Sequence, residues 1–182
     1  NLAGAGSTLG HTLQLPASRY VPLAPDVCPT GTLESVQATP FDFRQSRSVA
    51  DATALPHEQL ARAGGLDHYL VLDDAASVSV APAATPGLRL AAQLADPASG
   101  RALQVWSTAP GVQVYAGHGL KADPARDLGR GPGQGNWLWQ PGDGICLEPM
   151  EYPDAPNHPA FPVQWWLPGD VVRGAIVYRF TG

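Results

Sequence analysis

The chain has 182 residues, of which 44% are hydrophobic and 15% charged, a composition typical of a globular domain rather than a disordered segment. Its formal net charge of -5 argues against the basic surface that nucleic-acid binding needs, so no nucleic-acid partner is expected. The longest apolar runs are too short to span a bilayer, so no membrane partner is expected either.

The start of the chain carries no visible signal peptide, and a cytoplasmic location is predicted, with the periplasm and secretion left open. The two cysteines, Cys28 and Cys146, are too few and too far apart for a disulfide framework, and both are predicted to be buried thiols. The histidines and cysteines lack the close spacing of metal ligands, so neither a metal nor a cofactor is expected.

Short segments with the alternating pattern of half-buried strands begin near the N-terminus. Strands are predicted at residues 11–15, 20–23 and 33–37, and an extended segment with two aromatic side chains is predicted at 40–44. Glycine and proline separate these segments, as in an all-β protein.

A short helix is predicted over residues 57–63, where two glycines end it. Asp67 and His68 follow directly, before an apolar strand at 69–72. A charged residue between a glycine turn and a buried strand is unusual, which marks Asp67 as a candidate for function. Because neighbours on a strand point to opposite faces, His68 is assigned a structural role.

The second half of the chain continues as strand after strand. Residues 88–94 are predicted to present Leu88, Leu90, Ala92 and Leu94 on one face. Further strands are predicted at 103–106, 112–115 and 171–180, and a long loop at 117–144. Many short strands joined by glycine- and proline-rich turns predict an all-β sandwich or barrel.

The stretch from residue 144 to 162 begins as a short apolar strand and places one carboxylate, Glu148, directly before a proline. More prolines follow, and because proline fixes φ and lacks a backbone donor, this segment is predicted to be a rigid, non-helical loop. A carboxylate held at a strand end in this way suits a general base. The alternative is an ordinary surface carboxylate.

Motifs in series along almost the whole chain resemble those of the aldose 1-epimerase (galactose mutarotase) family. They are Gly65-Leu66-Asp67-His68, Ser99-Gly100-Arg101, Thr108 to Tyr115, and Leu147-Glu148 followed by Tyr152 to Asn157 and Phe161-Pro162. The resemblance implies the large antiparallel β-sandwich of that family. Family members are about twice this length, so residues 1–182 are expected to be one sandwich domain that corresponds to the C-terminal half.

The resemblance also implies a function. The chain is expected to belong to an enzyme that interconverts the α and β anomers of an aldohexose such as galactose or glucose, without cofactor or metal. Glu148 corresponds to the catalytic base, and Asp67, Gln113 and Tyr115 to groups that bind the monosaccharide. The general acid, a histidine, is expected in the family's N-terminal half, which is the expected protein partner. The alternatives are a turn role for Asp67 and a solvated sheet face for Gln113.

The chain departs from the family's pattern at three positions near the expected site rim: Tyr69, His118 and Met150, where Asn, Asn and Gln are commoner. These departures leave open a non-catalytic carbohydrate-binding or sugar-sensing module on the same fold. Tryptophan side chains can stack on a sugar ring, but most of those present are predicted to be core or packing residues. They are Trp106, Trp137, Trp139, Trp165 and Trp166.

Overall fold

Short strands dominate the computed structural model, which describes residues 1–4, 6–74, 85–120 and 139–182. Within these ranges, in chain order, the elements are β1 Thr12–Gln14, β2 Arg19–Val21, β3 Glu34–Ser35, β4 Arg47–Ser48, α1 Val49–Thr53, α2 Glu58–Ala63, β5 Asp67–Val71, β6 Arg89–Ala95, β7 Ala102–Ser107, β8 Gly111–Tyr115, β9 Cys146–Met150, a 3-10 turn Ala155–Asn157, and β10 Ile176–Thr181.

The strands form two five-stranded antiparallel sheets. Sheet A has the order β10-β7-β6-β1-β4, and sheet B has the order β3-β2-β5-β8-β9. Both sheets send side chains into one shared core, for example Leu13 and Val105 from sheet A, and Leu70 and Val112 from sheet B. Two sheets packed face to face over a common core make a β-sandwich, which confirms the predicted fold class.

Several element predictions are confirmed, with shorter bounds. Helix α2 begins after His57, whose side chain accepts a hydrogen bond from the backbone N–H of Gln59, and ends at Gly64 in the left-handed conformation with φ 74°. The C-terminal strand, however, starts only at Ile176, and the predicted loop at 117–144 lies mostly outside the described residues. No helix in the described part of the chain is long and apolar enough to cross a membrane.

A β-bulge interrupts the face predicted along residues 88–94. Leu90 pairs with Trp106, but Ala92 pairs with Val105, so these two residues of β6 point to opposite sides. A bulge inserts one unpaired residue and therefore reverses the alternation beyond it. The prediction of one continuous apolar face on this strand is wrong at its N-terminal end.

The tryptophans are mostly outside the core. Trp106 is buried, whereas Trp139, Trp165 and Trp166 are exposed, and Trp137 lies outside the described residues. Of the four that the structure describes, only Trp106 is a core residue, so a core position is wrong for the other three.

Strand β10 extends the apolar face of sheet A beyond the area that sheet B covers. Tyr178 pairs with the core residue Val105 and so points to the same side, yet Tyr178 is 52% exposed. Ile176 and Phe180 lie on the same face of β10 and are also exposed. An apolar sheet face at an open edge is a surface for association.

We expect the 182-residue chain to self-associate when it is prepared by itself, because this edge exposes apolar side chains. Light scattering should give a mass above 19.1 kDa. The double variant Tyr178→Ser, Phe180→Ser should shift the distribution towards the monomer. A stable, monodisperse 19.1 kDa species from the unsubstituted chain would contradict the expectation.

Candidate functional site

Three neighbouring strands of sheet B, β5, β8 and β9, carry all the predicted site residues. The strand register pairs Asp67 with Tyr115 and Gln113 with Glu148. Directly opposed residues of antiparallel strands point to the same face, as do residues two apart on one strand. All four therefore lie on one face of sheet B, the site face. The residues between them, such as Val114, point into the core.

A hydrogen bond joins two of these side chains. The Gln113 amide Nε2 donates to the Asp67 carboxylate Oδ1 at 2.6 Å, across the junction of β5 and β8. A carboxylate has about four acceptor positions, so one bond orients the group and leaves others for sugar hydroxyls. Because the register places the two residues diagonally on adjacent strands, this contact is a product of strand pairing.

Glu148 lies beside Gln113 on β9, which is at the edge of sheet B among the residues that the structure describes. Its side chain is exposed, so it is accessible to a molecule bound on the site face. Pro149 follows it directly and contributes no backbone donor. The site thus has one carboxylate held by an amide and a second one open to solvent.

Tyr115 and His118 form one side of the site. The Tyr115 hydroxyl accepts a hydrogen bond from the backbone N–H of Gly119 at 2.9 Å, and its ring meets the His118 ring edge-on at 5.0 Å. The His118 Nε2 atom donates to the backbone carbonyl of Ala63, at the end of α2, at 3.0 Å. A Cβ on Gly65 would lie 2.5 Å from the His118 ring, so the glycine makes room for it. These contacts give His118 a packing role.

Sequence reasoning did not select Cys146 as a site residue, although it lies two residues before Glu148 on the same face. Cys146 is opposite Tyr115 in the register and is exposed, and Cys28 is exposed too, so the predicted burial of both thiols is wrong. Partial burial raises the pKa of the Cys146 thiol, and the nearby carboxylates of Glu148 and Asp67 raise it further. The sequence signal that could have identified Cys146 is its spacing: it is two residues before Glu148, and residues two apart on a strand point to the same face.

The segment after β9 packs on the site face at its other end. Ala155 and Phe161 are buried against Val21, Tyr69 and Val71 of sheet B. The segment was predicted to be non-helical, but it contains a 3-10 turn at Ala155–Asn157 with a proline in its first turn. Its rigidity stays a prediction. The segment therefore forms a wall on the site face, over Val21, Tyr69 and Val71.

The four predicted residues contribute two carboxylates, an amide and a phenol to the site face. Groups of this kind accept and donate hydrogen bonds to hydroxyls, and an exposed carboxylate can also take up a proton. Within the described ranges, no cluster of three or more His, Cys, Asp or Glu side chains is placed to hold a metal ion.

Comparisons with known proteins identify the family of the chain. The family model described as aldose 1-epimerase matches residues 1–179. Galactose mutarotase of Rattus norvegicus is 30% identical over 100% of this chain and 47% of its own length. Aldose 1-epimerase of Escherichia coli (strain K12) is 32% identical over 99% of this chain and 48% of its own length.

A solved structure shows the same fold. The GalM/aldose epimerase homologue from C. elegans superposes with a TM-score of 0.77 at 26% identity, covering 100% of this chain and 48% of that one. The chain spans about half the length of the curated relatives it matches.

Proposed function

Because the chain belongs to the aldose 1-epimerase family, we propose that it forms the part of an aldose 1-epimerase that holds the catalytic base and the sugar-binding groups. The proposed reaction interconverts the α and β anomers of an aldohexose such as galactose or glucose. The observation that carries this proposal is the hydrogen bond between Asp67 and Gln113 beside the exposed carboxylate of Glu148.

In the proposed mechanism, the Glu148 carboxylate removes the proton of the C1 hydroxyl while an acid protonates the ring oxygen. The C1–O5 bond then breaks, leaving an open-chain aldehyde. Rotation about the C1–C2 bond presents the other face of the aldehyde, and ring closure returns both protons. Asp67 and Gln113 bind hydroxyls of the sugar and hold C1 near Glu148, which lowers the entropic cost of the reaction.

The acid is proposed to be a histidine of the N-terminal part of the family's fold, the part to which these residues do not correspond. That part is also the proposed protein partner of this half. The exposed apolar face of β10, with Tyr178 and Phe180, supports a partner that adds strands or covers this edge.

The test is polarimetry of freshly dissolved α-galactose and α-glucose with the full-length protein. The rate of mutarotation should exceed the spontaneous rate in proportion to protein concentration, and saturate with sugar. A protein that binds these sugars by calorimetry without accelerating mutarotation would instead be a carbohydrate-binding module. Such a module needs the Asp67–Gln113 pair but no acid.

The bond between Asp67 and Gln113 predicts non-additive substitutions. Asp67→Ala should raise KM about 10- to 100-fold, since a carboxylate hydrogen bond to a hydroxyl is worth about 1.5–3 kcal/mol. Gln113→Ala should raise KM less, and the double variant should lose less than the sum of the two free energies, with a coupling of about 0.5–3 kcal/mol. Strict additivity would show that the two side chains act independently on the sugar.

A further inference from the structure

A tyrosine on β5 reaches across β8 to the backbone of β9. The Tyr69 hydroxyl donates to the carbonyl oxygen of Met150 at 3.0 Å, although β5 and β9 are not neighbours in sheet B. The ring crosses β8 at Gly111, where a Cβ would lie 2.3 Å from the Tyr69 Cζ atom. Glycine at this position is therefore a requirement of the crossing.

The strand that Tyr69 reaches has few other restraints. Strand β9 is at the edge of sheet B, so only β8 pairs with it within the described residues. Pro149 lies between Glu148 and Met150 and lacks a backbone N–H, so it cannot donate to a neighbouring strand. Among the described residues, the backbone around Glu148 is therefore hydrogen-bonded to a strand on one side, that of β8. The Tyr69 hydroxyl adds one more hydrogen bond to this backbone, at the residue after the proline.

The Tyr69 side chain is itself fixed by burial and by ring contacts. Its side chain is only 2% exposed, and its ring packs against Tyr152 with centroids 5.3 Å apart. Tyr152 packs in turn against Phe161, with centroids 5.0 Å apart, in the wall after β9. Burial raises the pKa of the Tyr69 hydroxyl, with Tyr152 and Glu151 adding to the effect, so the hydroxyl keeps its proton and remains a donor.

We propose that Tyr69 is a positioning residue for Glu148, which it holds in place through its hydrogen bond to the Met150 carbonyl across Gly111. This inference rests on the proposed role of Glu148 as the base. The strand register supports it, because Tyr69, Gln113 and Glu148 lie in one row across the three strands. Met150 is two residues after Glu148, so a hydrogen bond to its carbonyl restrains the backbone close to the base.

The variant that tests this inference is Tyr69→Phe in the full-length protein, which removes the hydroxyl and keeps the ring over Gly111. A displacement of a catalytic group by about 1 Å can cost about 10²-fold in rate, so a partial loss of restraint is expected to lower kcat about tenfold. KM for the sugar should change less than about twofold. The matched control is Tyr20→Phe, since Tyr20 is a buried tyrosine of the same sheet whose hydroxyl bonds to Glu34 at 2.7 Å.

Hydrogen exchange provides a readout that does not depend on activity. In Tyr69→Phe, the amides of Leu147, Glu148 and Met150 should exchange faster than in the unsubstituted protein, whereas the amides of β2 should not. Tyr20→Phe should leave β9 protected and kcat unchanged, even if it lowers the melting temperature.

The outcomes separate the inference from the proposed function. If the unsubstituted protein is active, Glu148→Gln is inactive, and Tyr69→Phe has normal kcat and normal β9 exchange, the inference is overturned and the function stands. A rise in KM with unchanged kcat would also overturn it, because Tyr69 would then be a sugar contact. If the unsubstituted protein does not accelerate mutarotation, the proposed function fails, and the positioning of a catalytic base by Tyr69 fails with it.

Discussion

Replacing Glu148 by Gln is expected to reduce kcat for mutarotation by about 10²–10⁴-fold, the contribution of a positioned general base. Glutamine has nearly the same shape as glutamate and can still bond a hydroxyl, but it cannot take up the C1 proton. KM should therefore change little compared with kcat. Polarimetry of α-galactose with the full-length variant measures both parameters.

The control for this experiment is Glu151→Gln. Glu151 is exposed, lies directly after β9 and has the same carboxylate chemistry, but it is not part of the register that places Glu148 beside Gln113. It should retain nearly full activity. Equal losses in the two variants would assign the effect to the charge of this segment and would remove Glu148 from the role of base.

Lowering the pH from 6.5 to 4 is expected to remove about 3 kcal/mol of stability through His68, because the unfolded chain takes up the proton near pH 6.5 and the folded protein only near pH 4. His68 is 0% exposed, lies 4.4 Å from the Phe41 ring between centroids, and accepts the backbone N–H of Asp67 at Nδ1. Burial lowers its pKa from 6.5 to about 4, with smaller effects from His57 and His118. The contribution is complete above pH 6.5 and is lost progressively below it.

Urea unfolding curves between pH 4 and 7 measure this effect. In His68→Asn, whose side-chain oxygen can still accept the Asp67 N–H, the protein should be less stable at pH 7. The slope of its unfolding free energy against pH reports the number of protons taken up on unfolding, and this number should be smaller by up to one. An identical slope in both proteins would show that His68 does not titrate differently on folding. The hydrogen bond from the Asp67 backbone N–H to His68 helps to position Asp67. The same variant should therefore also raise KM for the sugar.

The local features of this chain were open to prediction from sequence. Helix α2 was located by its closing glycine, and strand parity put Gln113 and Tyr115 on one face, because both depend on residues near each other in the chain. The resemblance to aldose 1-epimerases, carried by motifs around Asp67 and Glu148, was confirmed by the family match over residues 1–179. The base and sugar-binding roles of these residues remain predictions.

The tertiary structure decided what depends on which strands are neighbours and what covers each face. The Asp67–Gln113 bond and the reach of Tyr69 to Met150 follow from the order β5-β8-β9, which no single strand encodes. The exposure of Cys146 contradicted a burial rule that holds on average, because in the described part of the chain β9 is the outermost strand of sheet B and Cys146 lies on its exposed site face. Sequence periodicity thus determined the direction of side chains along each strand, and non-local pairing and packing determined which of them meet.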